Sequence, residues 1–213
     1  MTEPRDESSI RSALYVLWAM AADEPSHNLA DEAVRRRDWG RALGSLSSGF
    51  ALPLLAEWWR AGCLTAEELR TELPSAWSRS EPNDTSPKWL QLWREAAGSG
   101  GRIEEEPLPT GDPLTVYRGE AKAPRRKTRG IAWTLSPDVA IRFALRLPWS
   151  DGSGVVLEGV VPRDAVLGYI TDRNEQEVIV QTKYLTVVGM TTVTTADRPD
   201  RKTPRPTPVK GAR

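Results

Sequence analysis

Three short runs in the second half of the chain carry residue types that can do chemistry together. In Leu114-Thr115-Val116-Tyr117-Arg118-Gly119 an arginine follows two apolar positions of its own parity. Side chains on a strand alternate between faces, so Arg118 is expected to point with Leu114 and Val116. Arginine is seldom buried without a partner. Its planar fork suits a carboxylate or a phosphate, as a structural salt bridge or a ligand contact. In Ile131-Ala132-Trp133-Thr134-Leu135-Ser136 the large apolar residues share one face, and Ala132, Thr134 and Ser136 share the other. That polar face suits either the outside of an edge strand or the wall of a ligand cleft. In Asn174-Glu175-Gln176-Glu177-Val178-Ile179-Val180 two carboxylates stand two residues apart at the head of a strand. Alternation puts both on one side, where like charges repel. A solvated strand end tolerates such a pair, but a fold has little structural reason to build one. The preceding segment Gly168-Tyr169-Ile170-Thr171-Asp172-Arg173-Asn174 has a polar, turn-forming end that reads as a loop hanging over the glutamates.

The elements around these runs follow from periodicity. Residues 113–119, 130–135, 154–161, 165–170, 175–180 and 184–195 are rich in valine, isoleucine and threonine and are separated by Pro, Gly, Asp or Asn, which predicts strands. Ser136-Pro137-Asp138 is an N-cap followed by proline at the first helical position, and it opens a helix over 137–147. The order strand, strand, helix, then four strands predicts an α+β domain with a mixed or antiparallel sheet over residues 107–195. Residues 1–100 read instead as helices. Ile10, Ala13, Leu14, Leu17, Trp18 and Ala21 recur at helical spacing. A second apolar stretch covers 42–59, with Pro53 obscuring its start. Thr65-Ala66-Glu67-Glu68 is a capping box that opens a helix to about Trp77, and Ser86-Pro87 opens another that carries Trp89, Leu92 and Trp93. Seven of the nine tryptophans precede residue 100, so the halves differ in kind. Gly98-Ser99-Gly100-Gly101 and Pro107-Leu108-Pro109 mark the boundary. Residues 196–213, rich in Pro, Lys, Arg and Thr, are expected to be a disordered basic tail.

Composition removes several classes of function. The chain has 213 residues, with 29 basic and 29 acidic side chains and so no net charge. No global field favours nucleic acid or a membrane surface, and electrostatic recognition must be local. One cysteine, Cys63, and one histidine, His27, permit neither an internal disulfide nor the usual Cys/His zinc cluster, so no metal is expected. No apolar run has the length of a membrane helix, and Met1-Thr2-Glu3-Pro4-Arg5-Asp6-Glu7 does not open a secretory signal. The expected address is the cytoplasm.

In their order and parity the three runs resemble the arginine–serine–glutamate class of mono-ADP-ribosyltransferases. That family has a first-strand arginine, then a Ser/Thr-aromatic-Ser/Thr strand, then a Glu-x-Glu strand. Here these are Tyr117-Arg118-Gly119, Ala132-Trp133-Thr134 and Glu175-Gln176-Glu177. The first hydroxyl of the middle motif is absent, since Ala132 stands there. The resemblance implies an ADP-ribosyltransferase-like sheet domain that uses NAD as co-substrate, with Tyr117, Arg118, Gly119, Ala132, Trp133 and Thr134 around it. Arg118 is implied to hold the diphosphate, and Thr134 to orient the second glutamate. Glu177 is implied to stabilise the ribose cation, and Glu175 to handle the nucleophile. The histidine-dependent relatives, ADP-ribose polymerases and RNA 2′-phosphotransferases, are disfavoured because His27 lies in the helical half. Arg118, Thr134 and Glu177 are expected to converge on one cleft with Glu175 at its mouth; if Arg118 and Glu177 point to opposite faces of the sheet, this reading of the site fails. The acceptor is expected to be macromolecular. Glu175 favours a protein arginine, with Tyr169 in the recognition loop. The basic run at 122–129, with Arg125 and Arg126, suits RNA or DNA phosphates. An NAD glycohydrolase toxin, and a non-enzymatic module binding NAD or a partner, are the alternatives; a toxin implies a neutralising antitoxin.

Overall fold

The computed structural model describes residues 7–80, 86–98, 101–121, 130–146 and 152–199, with Asp172 by its backbone alone. The basic run at 122–129, including Arg125 and Arg126, and residues 200–213 of the expected tail lie outside the described residues. The chain divides into two compact units, Met1–Ile103 and Glu104–Arg213. Among the described residues no helix is long and apolar enough to cross a membrane.

Among the described residues the first unit holds six helices: α1 (Glu7–Ala21), α2 (His27–Arg35), α3 (Trp39–Ser45), α4 (Ser48–Arg60), α5 (Ala66–Ser80) and α6 (Pro87–Ala97). The single stretch expected over 42–59 is two helices. Leu46 is extended between them, and the Glu24 carboxylate accepts from both the amide and the hydroxyl of Ser47, which fixes the break. Pro53 lies inside α4. One residue earlier, the Ser80 hydroxyl accepts the Leu52 N–H at 3.0 Å and donates to the Ser48 carbonyl at 2.9 Å, so a side chain from α5 enters the first turn of α4. The helix α2 was not legible. It is short, and apart from His27 it buries only Ala30, Ala33 and Val34, too little apolar bulk for a clear stripe.

The capping box forms as the sequence implies. Glu68 accepts the Thr65 amide at 2.7 Å, and the Thr65 hydroxyl accepts the Glu68 amide at 3.0 Å. Glu68 also accepts from Trp39 Nε1 at 2.9 Å and from Arg37 at 3.0 Å. Burial pushes this carboxyl up, but the bonds from Trp39, Thr65 and Arg37 outweigh it and hold the pKa at about 2 against an ordinary 4.5. A carboxylate depressed by folding stabilises the fold above its unfolded value and loses that contribution as pH falls through its folded value. The first unit is therefore expected to lose on the order of 2–3 kcal/mol between about pH 5 and pH 2. Tryptophan-fluorescence unfolding in urea checks this, and Glu68→Gln should flatten most of the pH dependence.

The second unit contains the strands β2 (Leu114–Glu120), β3 (Ala132–Thr134), β4 (Ser153–Val161), β5 (Val166–Ile170), β6 (Glu177–Val180) and β7 (Thr186–Thr194), with the helix α7 (Pro137–Ala144) between β3 and β4. A two-residue strand, β1 (Ile103–Glu104), completes the sheet at the division between the units; its order is β1-β5-β6-β3-β2-β4-β7. The ladders β2–β3, β2–β4, β3–β6, β4–β7 and β5–β6 are antiparallel. The three motif strands, though far apart in sequence, are therefore consecutive at the centre of the sheet as β6-β3-β2. One face carries a core of Leu108, Leu114, Val116, Trp133, Leu157, Tyr169, Val178 and Val180. The other is covered by α7, which packs Ala140 and Ala144 against Val156 and Val193. The chain stays ordered past the expected start of the tail: Thr195–Asp197 is a 3-10 turn capped reciprocally by Thr194 and Asp197.

Candidate active site

Register decides which side chains can meet. Residues opposed in an antiparallel ladder share a face. Tyr117 is opposite Thr134, and Thr134 is opposite Glu177. Tyr117 is also opposite Glu158, and Gly119 opposite Val156. These residues therefore share the α7 face. Arg118 is opposite Leu157, and so leaves the other face with Leu114 and Val116, as its own strand's parity predicts. The expected convergence of Arg118 with Thr134 and Glu177 in one cleft is thus corrected: alternation sends Arg118 and Glu177 to opposite faces.

Arg118 occupies a seam instead. Among the described residues β2 meets β3 at one pair only, Tyr117 and Thr134. Just beyond that pair, Arg118 Nη1 donates to the Ala132 carbonyl at 2.8 Å, and its Nε donates to Glu120 at 2.6 Å. The arginine and glutamate side chains are only 16% and 29% exposed, so this charge-assisted pair is well shielded. The guanidinium ties the β3 edge to β2 where the two half-sheets part. Glu120 escaped the sequence reading. Its signal was available, because an acid two residues after an arginine on a strand shares its face.

The glutamate pair also differs from expectation. β6 begins at Glu177, and Arg173, Asn174 and Gln176 have φ of 58°, 56° and 47°. Three non-glycine residues in the left-handed region within four positions store backbone strain, which survives only where surroundings over-determine it. The left-handed Gln176 breaks the alternation, so the same-side argument for Glu175 and Glu177 does not hold. Thr134 supplies the restraint. Its hydroxyl donates to the Glu175 carbonyl at 2.6 Å and accepts the Ser136 amide at 3.1 Å, and Leu135 N donates to the Gln176 carbonyl at 3.1 Å. A hydroxyl has one proton, and here it goes to Glu175 main chain. Thr134 thus fixes the turn that delivers Glu177, rather than orienting its carboxylate directly. Thr134 is buried.

Other predicted site residues have structural duties. Trp133 is 2% exposed in the core, and its Nε1 donates to the Gly130 carbonyl at 3.0 Å. It faces away from Glu177 and is not a cleft wall. Tyr169 is not in a recognition loop: it lies in β5, 4% exposed, opposite Val178. Burial, with the Glu106 carboxylate nearby, pushes its phenol above the ordinary value. Gly119 lies beneath the α7 backbone. Ala132 offers its carbonyl to Arg118 and its side chain to the α7 face. Tyr117 packs against the α7 cluster on the same face as Thr134 and Glu177. Ser136 caps α7 by accepting the Val139 amide at 3.3 Å, so it serves the helix. What remains together is the strained turn at 173–176, the Thr134 restraint and Glu177, with Arg118 bracing the adjacent seam. Comparison with known family models, curated proteins and solved structures finds no match to this chain.

Proposed function

We propose that the second unit is an NAD-dependent mono-ADP-ribosyltransferase, with Glu177 as the carboxylate at the reacting ribose. The observation that carries this reading is the placement of a carboxylate at the head of a central strand, behind a strained turn stapled by Thr134. Such strain is a feature of functional sites. The reaction breaks the glycosidic bond of NAD; nicotinamide leaves with the bonding pair, and the ribose carbon becomes cation-like. Glu177 accepts the 2′-hydroxyl hydrogen bond and stabilises that charge, the part a carboxylate plays in glycoside cleavage. An acceptor nitrogen then bonds to the ribose carbon, and its displaced proton goes to a base, a role suited to Glu175. With Arg118 on the opposite face the four-residue cleft fails, and the proposal rests on Glu177 and the turn held by Thr134; Arg118 is a positioning residue, because its guanidinium serves Glu120 and the Ala132 carbonyl. The favoured acceptor is a protein arginine, whose guanidinium suits Glu175.

The test is incubation of the full chain with NAD and, separately, a small guanidine compound, an arginine-containing peptide and a short RNA. Nicotinamide release with ADP-ribose found on the guanidine or peptide supports the proposal. ADP-ribose on RNA moves the acceptor to nucleic acid, and release without any adduct moves the function to NAD hydrolysis. No release, together with no NAD binding by calorimetry, overturns it.

A further inference from the structure

The two edges of the sheet are built differently. β1 is two residues long and runs into Glu104-Glu105-Glu106, so a short strand and like charges protect that edge from pairing. At the other end β7 spans nine residues, Thr186 to Thr194, with no charge and no proline. Val188 is 56% and Met190 63% exposed. The one irregularity opposes Glu158 and Gly159 to residues 187–189 and leaves Gly189 to Thr194 as a regular run. A long, neutral edge rich in β-branched residues invites another strand.

We infer that β7 is the dimer interface, pairing antiparallel with β7 of a second copy about a two-fold axis. Self-pairing suits this sequence. An isologous contact sets residue i of one strand against residue j of its copy, and j against i, so a strand without charge meets no charge in its copy at any register, whereas a strand carrying one sign of charge would repel its copy. Met190 and Thr192 are opposite Leu157 and Val155, so they lie on the face of the larger core. A second strand beyond β7 would extend that core's apolar surface over Met190. The inference stands apart from the enzymatic proposal, since three strands, β3, β2 and β4, separate β7 from β6.

Sedimentation equilibrium of the full chain tests it. The wild type is expected to move with concentration from 23.6 kDa towards twice that mass and no further. M190K/T192K, which places lysines on two exposed positions, is expected to stay monomeric with an unchanged circular-dichroism spectrum. If that variant fails to fold, hydrogen exchange on the wild type decides the matter: β7 amides should become protected as concentration rises. A monomer at the highest soluble concentration, a dimer that survives both lysines, β7 protection independent of concentration, or growth into higher oligomers would each overturn the inference.

Discussion

Glu177→Gln should lower the rate of NAD cleavage about a thousandfold, or roughly 4 kcal/mol of transition-state stabilisation. The substitution keeps the shape of the side chain and its capacity to accept the ribose hydroxyl, and removes only the charge. Ground-state affinity for NAD is therefore expected to change little, and the loss should fall on kcat. The backbone of Glu177 keeps its place in the ladder, opposite Thr134 and Ile170, and denaturant unfolding of the variant is measured beside its kinetics. Glu175→Gln offers a contrast: its carbonyl, not its carboxylate, is held by Thr134. Transfer to a guanidine should drop while NAD hydrolysis continues. Nicotinamide release and adduct formation, measured side by side for both variants, separate the two roles. Cleavage by Glu177→Gln within a few fold of the parent would remove Glu177 from the chemistry.

Much of the fold could be read from the chain because its period is local information. Trp133 shares a face with Val178 and Val180, as alternation within β6 requires. The Thr65–Glu68 box and the Ser136-Pro137 start both form. What failed was relational. Parity tells which residues of one strand agree, and it is silent on how one strand's parity meets the next. The pairing of Tyr117 with Thr134 decides that Arg118 opposes Glu177 by face, and no residue of either strand encodes that pairing alone. The second failure was conformational. A strand was expected from Glu175, but Gln176 is left-handed, and neither its type nor its neighbours announce this. It goes with the bond from the Thr134 hydroxyl to the Glu175 carbonyl, which spans 41 residues of sequence. Tyr169 misled for a third reason: an aromatic next to a polar turn reads as loop, yet its neighbours in space are core strands.

Gly119→Ala and Gly154→Ala should each destabilise the second unit by about 3 kcal/mol or more, at or beyond the usual cost of overpacking. A Cβ on Gly119 would stand 2.0 Å from the Ala140 carbonyl oxygen and 2.5 Å from the Ala144 amide nitrogen. On Gly154 it would stand 2.4 Å from the Ala144 carbonyl oxygen. These are main-chain atoms of α7, so no rotamer change relieves the contact, and the helix itself must lift. Gly189→Ala is the control within the same sheet, since its Cβ would meet the Glu158 side chain at an ordinary 3.4 Å. The two damaging changes press on the same turn of one helix. Once the first has raised α7 the second meets less resistance, so the double variant should cost less than the sum. Denaturant unfolding with hydrogen exchange on β2 and β4 measures all four proteins; full additivity would mean that the helix does not move as a body. The consequence reaches the site because Ser136, the cap of α7, bonds Thr134 through its amide. A lifted helix pulls on the hydroxyl that holds the Glu175 carbonyl. Gly119→Ala is therefore expected to lose NAD cleavage at temperatures where it is still folded, with Gly189→Ala unaffected.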